Sequence, residues 1–338
     1  MALNAALEDY AMSVLYLTED GSVLRKRGER LVVEKDDKEL LEVELRRITA
    51  VIMLDSVQVT TQALAQMLSF GVEFAIVSHW GRLLGQLTPP LARNIPLRKA
   101  QFSKETDREF ALAQAKEVVA AKLHNSMQVL TRYMWDESGA HPSIGQSLTT
   151  LEKLLAGVPA AEGHPQLLGL EGSGAAAYWS SFAGMLKPAD LNFTGRKKHP
   201  PPDPVNAVLS FGYVLLTNEL QSLLDGMGFD PFLGFLHEEE YGRPSLALDL
   251  VEPFRAPVVD RFVVRLFNLK ILKPDSFEQE QDKGFRMTKP AMRSFFKHWE
   301  AHLAKMDVRP ELRRQAEQLA KVFTDQEPLV KPWRWSAR

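Results

Sequence analysis

The sequence predicts an α+β protein in which a small N-terminal β-sandwich-like domain with one helix precedes a larger all-α domain. Two observations carry this prediction. Up to about residue 90, short runs rich in Val, Ile and Leu alternate with turn residues, which is typical of strands. Farther along the chain, apolar residues recur at the spacing of helices. The predicted domains are residues 1–90 and 91–338, and they meet in the proline-containing segment QLTPPLARNIP (86–96).

Six segments of the first domain carry strand signals. The turn sequence EDG separates the first two, and DDK separates the third from the fourth. The last two, ITAVIMLD and VEFAIVS, are nearly continuous apolar runs of the kind found in buried strands. A helix is predicted from Thr61 to Phe70 and ends at Gly71. The predicted strand segments are 12–18, 22–27, 29–35, 39–45, 48–55 and 72–78.

Helical periodicity fills most of the second domain. Pro253 lies inside one of the helical stretches and should kink or break it, since proline has no N–H and clashes with the carbonyl four residues earlier. The predicted helical stretches are 97–135, 145–157, 164–186, 204–227, 245–273, 288–305 and 309–324.

The composition limits the chemistry. The 338 residues are 45% hydrophobic and 25% charged, an ordinary globular mixture, and none is cysteine. Disulfides, thiolate nucleophiles and cysteine-based zinc sites are therefore excluded. A metal would need carboxylate and histidine ligands, which favours Mg²⁺ or Mn²⁺. The net charge of −2 does not indicate nucleic-acid binding. The basic cluster GRKKH (195–199) is as consistent with a solvated surface as with a phosphate contact.

The chain carries no membrane signal in its sequence. Its beginning, MALNAALEDYAM, lacks the basic start and long apolar run of a secretory signal. The longest apolar stretch, VNAVLSFGYVLL (205–216), is too short to span a bilayer. We therefore expect a cytoplasmic protein with no membrane partner.

The segment LLGLEGSGAAAYWSSF (167–182) is the first candidate for chemistry. It has helical periodicity, yet Gly169, Gly172 and Gly174 flank Glu171, and each glycine costs about 1 kcal/mol relative to alanine inside a helix. The glycines indicate close approach of another backbone or of a ligand. Tight helix packing with Glu171 on the surface is the alternative.

Two further segments place acids and a histidine in apolar surroundings. In GFLHEEEYGRPS (234–245), His237 suits a metal ligand, an acid–base group or a salt-bridged loop residue. In SLALDLVEPFR (245–255), Asp249 and Glu252 share a helix face among apolar residues. Buried carboxylates need partners, either a divalent cation or an arginine such as Arg255. A Glu, His and acid constellation suits Mg²⁺ or Mn²⁺, which accept phosphate oxygens as further ligands.

At these residues the chain resembles the universal CRISPR-associated integrase, the larger subunit of the spacer-acquisition complex. The similarity extends over nearly the whole chain with the order of segments preserved. It rests on GLEGSGAAAYW, LNFTGRKKHPPPDPVNAVLSFGYVLL (191–216), GFLHEEEYGRPSLALDLVEPFRAPVVDR (234–261), LARNIPLRKAQF (91–102) and the Asn125–Gln128–Arg132 spacing.

The resemblance implies a dimerisation role for the N-terminal domain and a catalytic role for the α-helical domain. It implies a metal site at Glu171, His237 and Glu252, with Asp249 as a supplementary acid or, alternatively, as the third ligand in place of Glu252. Many family members have aspartate at the third position, where this chain has Glu252.

The resemblance also implies an activity and partners. Two copies would each take a 3′-hydroxyl end of a short DNA duplex and join it to a CRISPR array by transesterification, and family members also act as metal-dependent endonucleases. The implied partners are double-stranded DNA, a second copy of the chain and a small ferredoxin-like CRISPR-associated subunit. A DNA-binding scaffold without catalysis is the alternative, and a metal-dependent hydrolase of small molecules is a third.

Several other positions are expected near DNA. Asn206 and Tyr213, on the helix after PPPDP, are expected to face the active site, although core packing would equally explain Tyr213. The tail KPWRWSAR (331–338) could stack on bases, but docking on the helical domain is favoured. The residues expected to contact phosphates are Arg93, Arg98, Arg196, Lys197 and Lys198.

Overall fold

A computed structural model gives the fold of the chain. It divides into two compact units, Met1–Leu91 and Ala92–Arg338, and this division lies one residue from the predicted boundary. The first unit is β-rich and the second helical, so the predicted α+β fold class is confirmed. The structure describes residues 13–54, 56–78, 83–87, 94–136, 139–198, 200–237, 240–280 and 284–337.

The described residues of the N-terminal unit form two four-stranded sheets and one α-helix. One sheet has the order β1-β5-β7-β8, with β8 antiparallel to its neighbour, and the other has the order β4-β3-β2-β6. The elements are β1 (Ser13–Leu17), β2 (Val23–Arg27), β3 (Arg30–Lys35), β4 (Lys38–Glu44), β5 (Ile48–Leu54), β6 (Gln58–Val59), α1 (Thr61–Ser69), β7 (Glu73–Val77) and β8 (Leu83–Leu87).

Both sheets contribute to a single apolar core. Leu24 and Leu31 of one sheet, Val51 and Phe74 of the other, and Met67 of α1 belong to the same buried cluster. The nearly continuous apolar runs are indeed the central parallel strands β5 and β7. The strand β8 was not predicted, because its sequence LLGQL is short and has no clear alternation.

The C-terminal unit consists mainly of helices. Among the described helices, none is long and apolar enough to cross a membrane. Two short hairpins interrupt the helices. The elements are α2 (Ile95–Glu105), α3 (Arg108–Arg132), β9 (Trp135–Asp136), β10 (Gly139–Ala140), α4 (Pro142–Gly157), α5 (His164–Phe182), α6 (Pro204–Met227), α7 (Ser245–Phe254), α8 (Arg261–Asn268), β11 (Phe277–Glu280), β12 (Gly284–Met287), α9 (Lys289–Lys305) and α10 (Val308–Phe323).

The predicted stretch 97–135 is two helices rather than one. Asp107 begins the second helix, because its carboxylate accepts hydrogen bonds from the amides of Glu109 and Phe110. An aspartate in this position satisfies amides that the first turn of a helix leaves without partners. Helical periodicity alone does not show this break, since the apolar spacing continues through it.

Two prolines four residues apart shape the end of α7. Pro257 has no N–H, so the carbonyl of Pro253 lacks its usual helical donor. Asn125 supplies one, with its Nδ2 lying 2.6 Å from that carbonyl oxygen. The chain then passes through a π-helical turn, Arg255–Asp260, into α8. Helix α7 thus continues through Pro253 to Phe254, and in place of the predicted break at Pro253 the structure has a π-helical turn that begins at Arg255.

The C-terminal tail docks on the helical unit, as predicted. Asn125 of α3 donates to the carbonyl of Trp333 and accepts from the amide of Trp335. The Trp333 ring stacks on Phe254 at 5.0 Å between centroids. Gln114 exchanges hydrogen bonds with both backbone groups of Val330. The tail is thereby tied to α3 and to the end of α7.

Candidate active site

Three helices bring Glu171, Glu252 and Lys122 together. Helix α3 packs against both α5 and α7. Gly174 permits the contact with α5, because a Cβ there would collide with Leu123 of α3. Glu171 of α5 pairs with the Lys122 ammonium of α3, and Glu252 Oε2 of α7 lies 2.7 Å from the same Nζ. One cation thus contacts two carboxylates that come from different helices.

Glu252 is the most deeply placed of these groups. Its side chain is 2% exposed, against 22% for Glu171 and 19% for Lys122, so the cluster opens to solvent on the Glu171 side. Burial alone would raise the pKa of Glu252. Arg255, 3.2 Å from Oε1, together with Lys122 and His237, outweighs burial and lowers that pKa to about 2. Glu252 is therefore an anion at neutral pH.

The same ion pairs act on Lys122. Burial lowers the pKa of this ammonium, but Glu252 and Glu171 together raise it above its ordinary value. The buried Oε2 of Glu252 forms an ion pair with Lys122 at 2.7 Å but accepts no hydrogen bond of regular geometry. A buried anionic oxygen of this kind is a position that a divalent cation could take in place of the ammonium.

Asp249 orders the loop that carries His237. Its fully buried carboxylate accepts from the amides of Phe235 and Leu236, at 2.5 and 2.8 Å, and from the amide of His237 at 3.2 Å. The same carboxylate lies 2.5 Å from His237 Nδ1. A proton on Nδ1 makes Nε2 the lone-pair nitrogen, which is how carboxylates orient metal-binding histidines. Asp249 thus has the contacts of a positioning residue.

The start of this loop requires a residue without a side chain. A Cβ at Gly234 would lie 2.7 Å from Asp249 Oδ2 and 2.8 Å from Ser245. Only glycine lets the backbone approach Asp249 closely enough for the following amides to bind it.

A second layer of polar groups lies behind Arg255. Its guanidinium lies 5.1 Å from the ring centre of Tyr213, and the guanidinium of Arg196 lies 5.4 Å from the same ring. The hydroxyls of Tyr213 and Tyr178 both donate to the buried carboxyl of Asp260. Burial raises the pKa of Asp260 to about 7 despite these hydrogen bonds. The Tyr213 ring thus contacts the guanidinium of Arg255, which in turn pairs with Glu252. This places Tyr213 beside the site, as expected.

Asn206 has a different role from the one predicted. It is fully buried, and Asp203, Gly195, Arg196 and Lys197 all hydrogen-bond to its side-chain amide or backbone. No surface is left for DNA, so the predicted contact is corrected to an internal one: Asn206 holds the GRKKH loop against α6.

The predicted phosphate-contacting residues occupy different environments. Lys197 and Lys198 are exposed, and the pKa of Lys198 is lowered by partial burial and by the charge of Arg255. Arg196 instead turns inward to Asn206 and Ser210. Arg98 donates to the carbonyl of Gly228 at the end of α6. Arg93 lies outside the described residues.

Sequence reasoning missed Lys122. The available signal was a lysine inside the apolar stretch VVAAKL, where a charged side chain needs a partner. Arg255, the alternative partner for the buried acids, does contact Glu252. Within the part of the chain that the structure describes, no three His, Asp or Glu side chains meet as a complete metal-binding group. Instead, the Lys122 ammonium contacts both glutamates.

The donor set nevertheless fits a hard divalent cation. Glu171 and Glu252 offer carboxylate oxygens, one of them the buried Oε2 that accepts no hydrogen bond of regular geometry. His237 offers Nε2 once Asp249 has taken Nδ1. Oxygen-rich sets with one imidazole suit Mg²⁺ or Mn²⁺.

Comparison with known proteins places the chain in a family. The model of the CRISPR associated protein Cas1 family matches residues 15–301, which include all four of the acid and histidine residues described above. The CRISPR-associated endonuclease Cas1 2 of Rhodospirillum rubrum is 30% identical over 96% of this chain and 98% of its own length. The CRISPR-associated endonuclease Cas1 3 of Thermus thermophilus is 34% identical over 86% of this chain and 85% of its own length.

Solved structures have the same fold. A Cas1 protein from Thermotoga maritima superposes with a TM-score of 0.78 at 22% identity, over 94% of this chain and 98% of its own. A chain of a Cas6-RT-Cas1–Cas2 complex superposes with a TM-score of 0.80 at 27% identity, over 98% of this chain and 37% of that longer chain. The chain belongs to the Cas1 family of CRISPR-associated proteins.

Proposed function

We propose that this chain is a metal-dependent DNA endonuclease and integrase of CRISPR adaptation that inserts short duplex DNA into a CRISPR array. Membership of the Cas1 family and relatives named as CRISPR-associated endonucleases support the proposal. The observation that carries it is the convergence of Glu171 and the buried Glu252 on Lys122, with His237, held by Asp249, close enough to act electrostatically on Glu252. Glu171 is the more exposed of the two glutamates and lies on the solvent side of the cluster.

Glu171, Glu252 and His237 would hold Mg²⁺ or Mn²⁺, which supplies charge neutralisation at the attacked phosphate and lowers the pKa of the attacking hydroxyl. Asp249 keeps the His237 ring in the orientation that presents Nε2. Arg255 keeps Glu252 ionised from within the protein. Lys197 and Lys198, exposed on the neighbouring loop, bind the DNA backbone.

The reaction conserves phosphodiester bonds. The 3′-hydroxyl oxygen of the incoming duplex forms a bond to a phosphorus of the array, and the bond from that phosphorus to the array's own 3′-oxygen breaks. The proton lost by the attacking hydroxyl balances the one gained by the departing 3′-oxygen. One ester replaces another, so no nucleotide cofactor is required. Attack by water on the same phosphorus would give the endonuclease reaction.

The proposed assembly contains more than one chain. We propose a homodimer that forms through the N-terminal unit, so that each copy presents one 3′-end. The proposed second partner is a small ferredoxin-like CRISPR-associated subunit, and the similarity to a chain of the Cas6-RT-Cas1–Cas2 complex supports it.

A strand-transfer assay tests the proposal. Purified protein, with and without the small subunit, is mixed with a labelled duplex bearing 3′-hydroxyls and a repeat-containing plasmid, in Mn²⁺ or in chelator. We expect joined product only with Mn²⁺. Glu171→Gln should lower the joining rate by roughly a hundredfold or more. Duplex binding should persist, because the grip on DNA phosphates is spread over many basic residues.

Glu219→Gln is the matched control. Glu219 lies in the same helical unit, is 27% exposed and is paired with Arg309, so it resembles Glu171 in exposure and in having a cationic partner. Its variant should join DNA at the wild-type rate. DNA binding without joining under every condition would instead favour a non-catalytic DNA-binding scaffold.

A further inference from the structure

Lys122 has a position that the proposed mechanism does not use. It projects from the middle of α3, and its Nζ contacts Glu171 and lies 2.7 Å from Glu252 Oε2. The side chain is 19% exposed, so the ammonium sits at the boundary between the buried Glu252 and solvent. Nothing else among the described side chains holds both glutamates at once.

Without this ammonium, Glu171 and Glu252 would be two like charges facing each other in a partly dry site. Arg255 contacts only the Oε1 side of Glu252 and does not pair with Glu171. Lys122 is therefore the group that makes the close approach of the two carboxylates favourable.

Because of the same contacts, Lys122 competes with a divalent cation for the oxygens of the two glutamates. An ion that draws oxygens from Glu171 and Glu252 needs the lone pairs that face Nζ, and it brings a like charge close to the ammonium. The two cations cannot share these carboxylates at contact distance. Lysine has a flexible four-carbon stem and three rotatable donors, so its ammonium can move away while its Cα stays in the helix.

When the Lys122 ammonium leaves the two glutamates, it needs another anion as its partner, and this region attracts anions. Arg255 and Lys198 act electrostatically on the same cluster, so an anion that enters from solvent meets three cations. In an enzyme that acts on DNA, that anion is a backbone phosphate.

We propose that Lys122 holds Glu171 and Glu252 together, and that it exchanges them for a DNA phosphate when a divalent ion binds to the two glutamates. The inference rests on the proposed function of the site. Lys122 thus opposes metal binding in the absence of DNA and assists the reaction in its presence. A purely structural salt bridge would have neither property.

The variant Lys122→Met separates these two effects, because methionine fills a similar space without the charge. Mn²⁺ affinity is measured without DNA from the free-ion signal in electron paramagnetic resonance, and joining is measured at saturating Mn²⁺. We expect Lys122→Met to bind Mn²⁺ about tenfold more tightly and to join DNA at least about tenfold more slowly. Lys122→Arg keeps the charge and should retain an Mn²⁺ affinity within about threefold of the wild type.

A second measurement uses the unmodified protein and does not depend on the folding of a variant. Lysine acetylation is followed by mass spectrometry with and without Mn²⁺. Labelling of Lys122 should rise when Mn²⁺ is added. Lys116, six residues earlier on α3 and bound to the carbonyl of Pro159, is the internal control and should not change.

The outcomes distinguish this inference from the proposed function. If the wild type neither binds Mn²⁺ through Glu171 nor joins DNA, the proposed function itself fails. If the wild type does both, but Lys122→Met binds Mn²⁺ no more tightly, or Mn²⁺ leaves Lys122 labelling unchanged, then only the exchange is overturned. Weaker Mn²⁺ binding by a folded Lys122→Met protein would assign Lys122 a purely structural role.

Discussion

The two units of the chain use charged side chains in opposite ways. On strands β2 to β4 of the N-terminal unit, Arg25, Arg27 and Arg30 face a row of glutamates. Arg27 alone has Glu34, Glu39 and Glu42 within ion-pair distance. In the helical unit, Glu252 is nearly buried and Asp249 is completely buried. Their charges are therefore met by protein groups such as Arg255 and the amide of Phe235, and not by water.

This difference concerns access to water. An exposed arginine that loses one glutamate keeps another and stays hydrated, so a single exposed pair contributes only about 0–1 kcal/mol. A buried charge that loses one of its partners has no water to replace that partner, and the loss costs roughly 3–5 kcal/mol. Substitutions in the two units should therefore differ in effect even where the ion-pair distances are alike.

The largest effect is expected for Asp249→Asn. An amide group would turn its NH₂ toward at least one of the donors that now bind Asp249, namely the amides of Phe235, Leu236 and His237. We expect the free energy of unfolding to fall by about 3 kcal/mol or more. DNA joining should be lost as well, because His237 loses the partner that orients its ring. Denaturant titration and the strand-transfer assay measure the two effects.

Asp230→Asn is the control for this substitution. Asp230 begins the same connection, and its carboxylate accepts one hydrogen bond, from the amide of Phe232, which an asparagine oxygen can also accept. Its variant should unfold like the wild type. Equal stability of the Asp249 and Asp230 variants would show that the buried carboxylate does not organise the loop.

A smaller loss is expected for Asn125→Ala. This residue satisfies the carbonyl of Pro253 and two backbone groups of the tail, at Trp333 and Trp335. Removing it leaves a buried carbonyl without a donor, at a cost of about 1–3 kcal/mol. The melting temperature and the rate of tail proteolysis report the loss. Gln128→Ala breaks only one bond, to the amide of Ala337, and should change both values much less.

The fold could be predicted from the sequence further than the site could. Apolar spacing located the seven helical stretches and the central strands, because burial of one face is a property of each segment by itself. The break at Asp107 was missed, since apolar spacing runs through it. So were the hairpins of the helical unit, whose strands contain only two to four residues and carry too little pattern.

The site depends on contacts between distant segments, which no local pattern encodes. The resemblance to a family indicated Glu171, His237, Glu252 and Asp249, and the structure brings Glu171 and Glu252 to Lys122 and His237 to Asp249. The resemblance could not show that Lys122 links the two glutamates, since the three residues come from three different helices. Of the two prolines, the sequence-based prediction concerned Pro253 alone, and it did not show that Asn125 binds the carbonyl that Pro257 leaves without a donor.

The pH dependence of Asp260 offers a further test within the helical unit. Its pKa rises from 3.8 to about 7 on folding, so the folded carboxyl holds its proton more tightly than the unfolded one. The resulting stability is fully present below about pH 4 and is lost as the pH rises through 7. The free energy of unfolding of the wild type minus that of Asp260→Asn should therefore be larger at pH 5 than at pH 8, by about 2 kcal/mol.

Melting curves of the wild type and the variant at the two pH values give this difference. Asn125→Ala removes no titratable group and should lower the melting temperature equally at both. A difference between wild type and Asp260→Asn that does not change with pH would mean that Asp260 is ionised across this range in the folded protein. Tyr213 would then bind a carboxylate rather than a neutral acid.

The smallest effect is expected for Arg30→Ala in the N-terminal unit. Arg30 lies 3.0 Å from Glu44 and 3.8 Å from Glu42, and about half of its side chain is exposed. Both glutamates stay hydrated when it is removed, and Glu42 also keeps Arg27 within 3.8 Å. The free energy of unfolding should therefore fall by at most about 1 kcal/mol. Denaturant titration at low and high salt measures it, and any loss should shrink as salt screens the pair. A loss as large as that of Asp249→Asn would mean that these exposed charges act as one cooperative network, and the contrast between the two units would no longer hold.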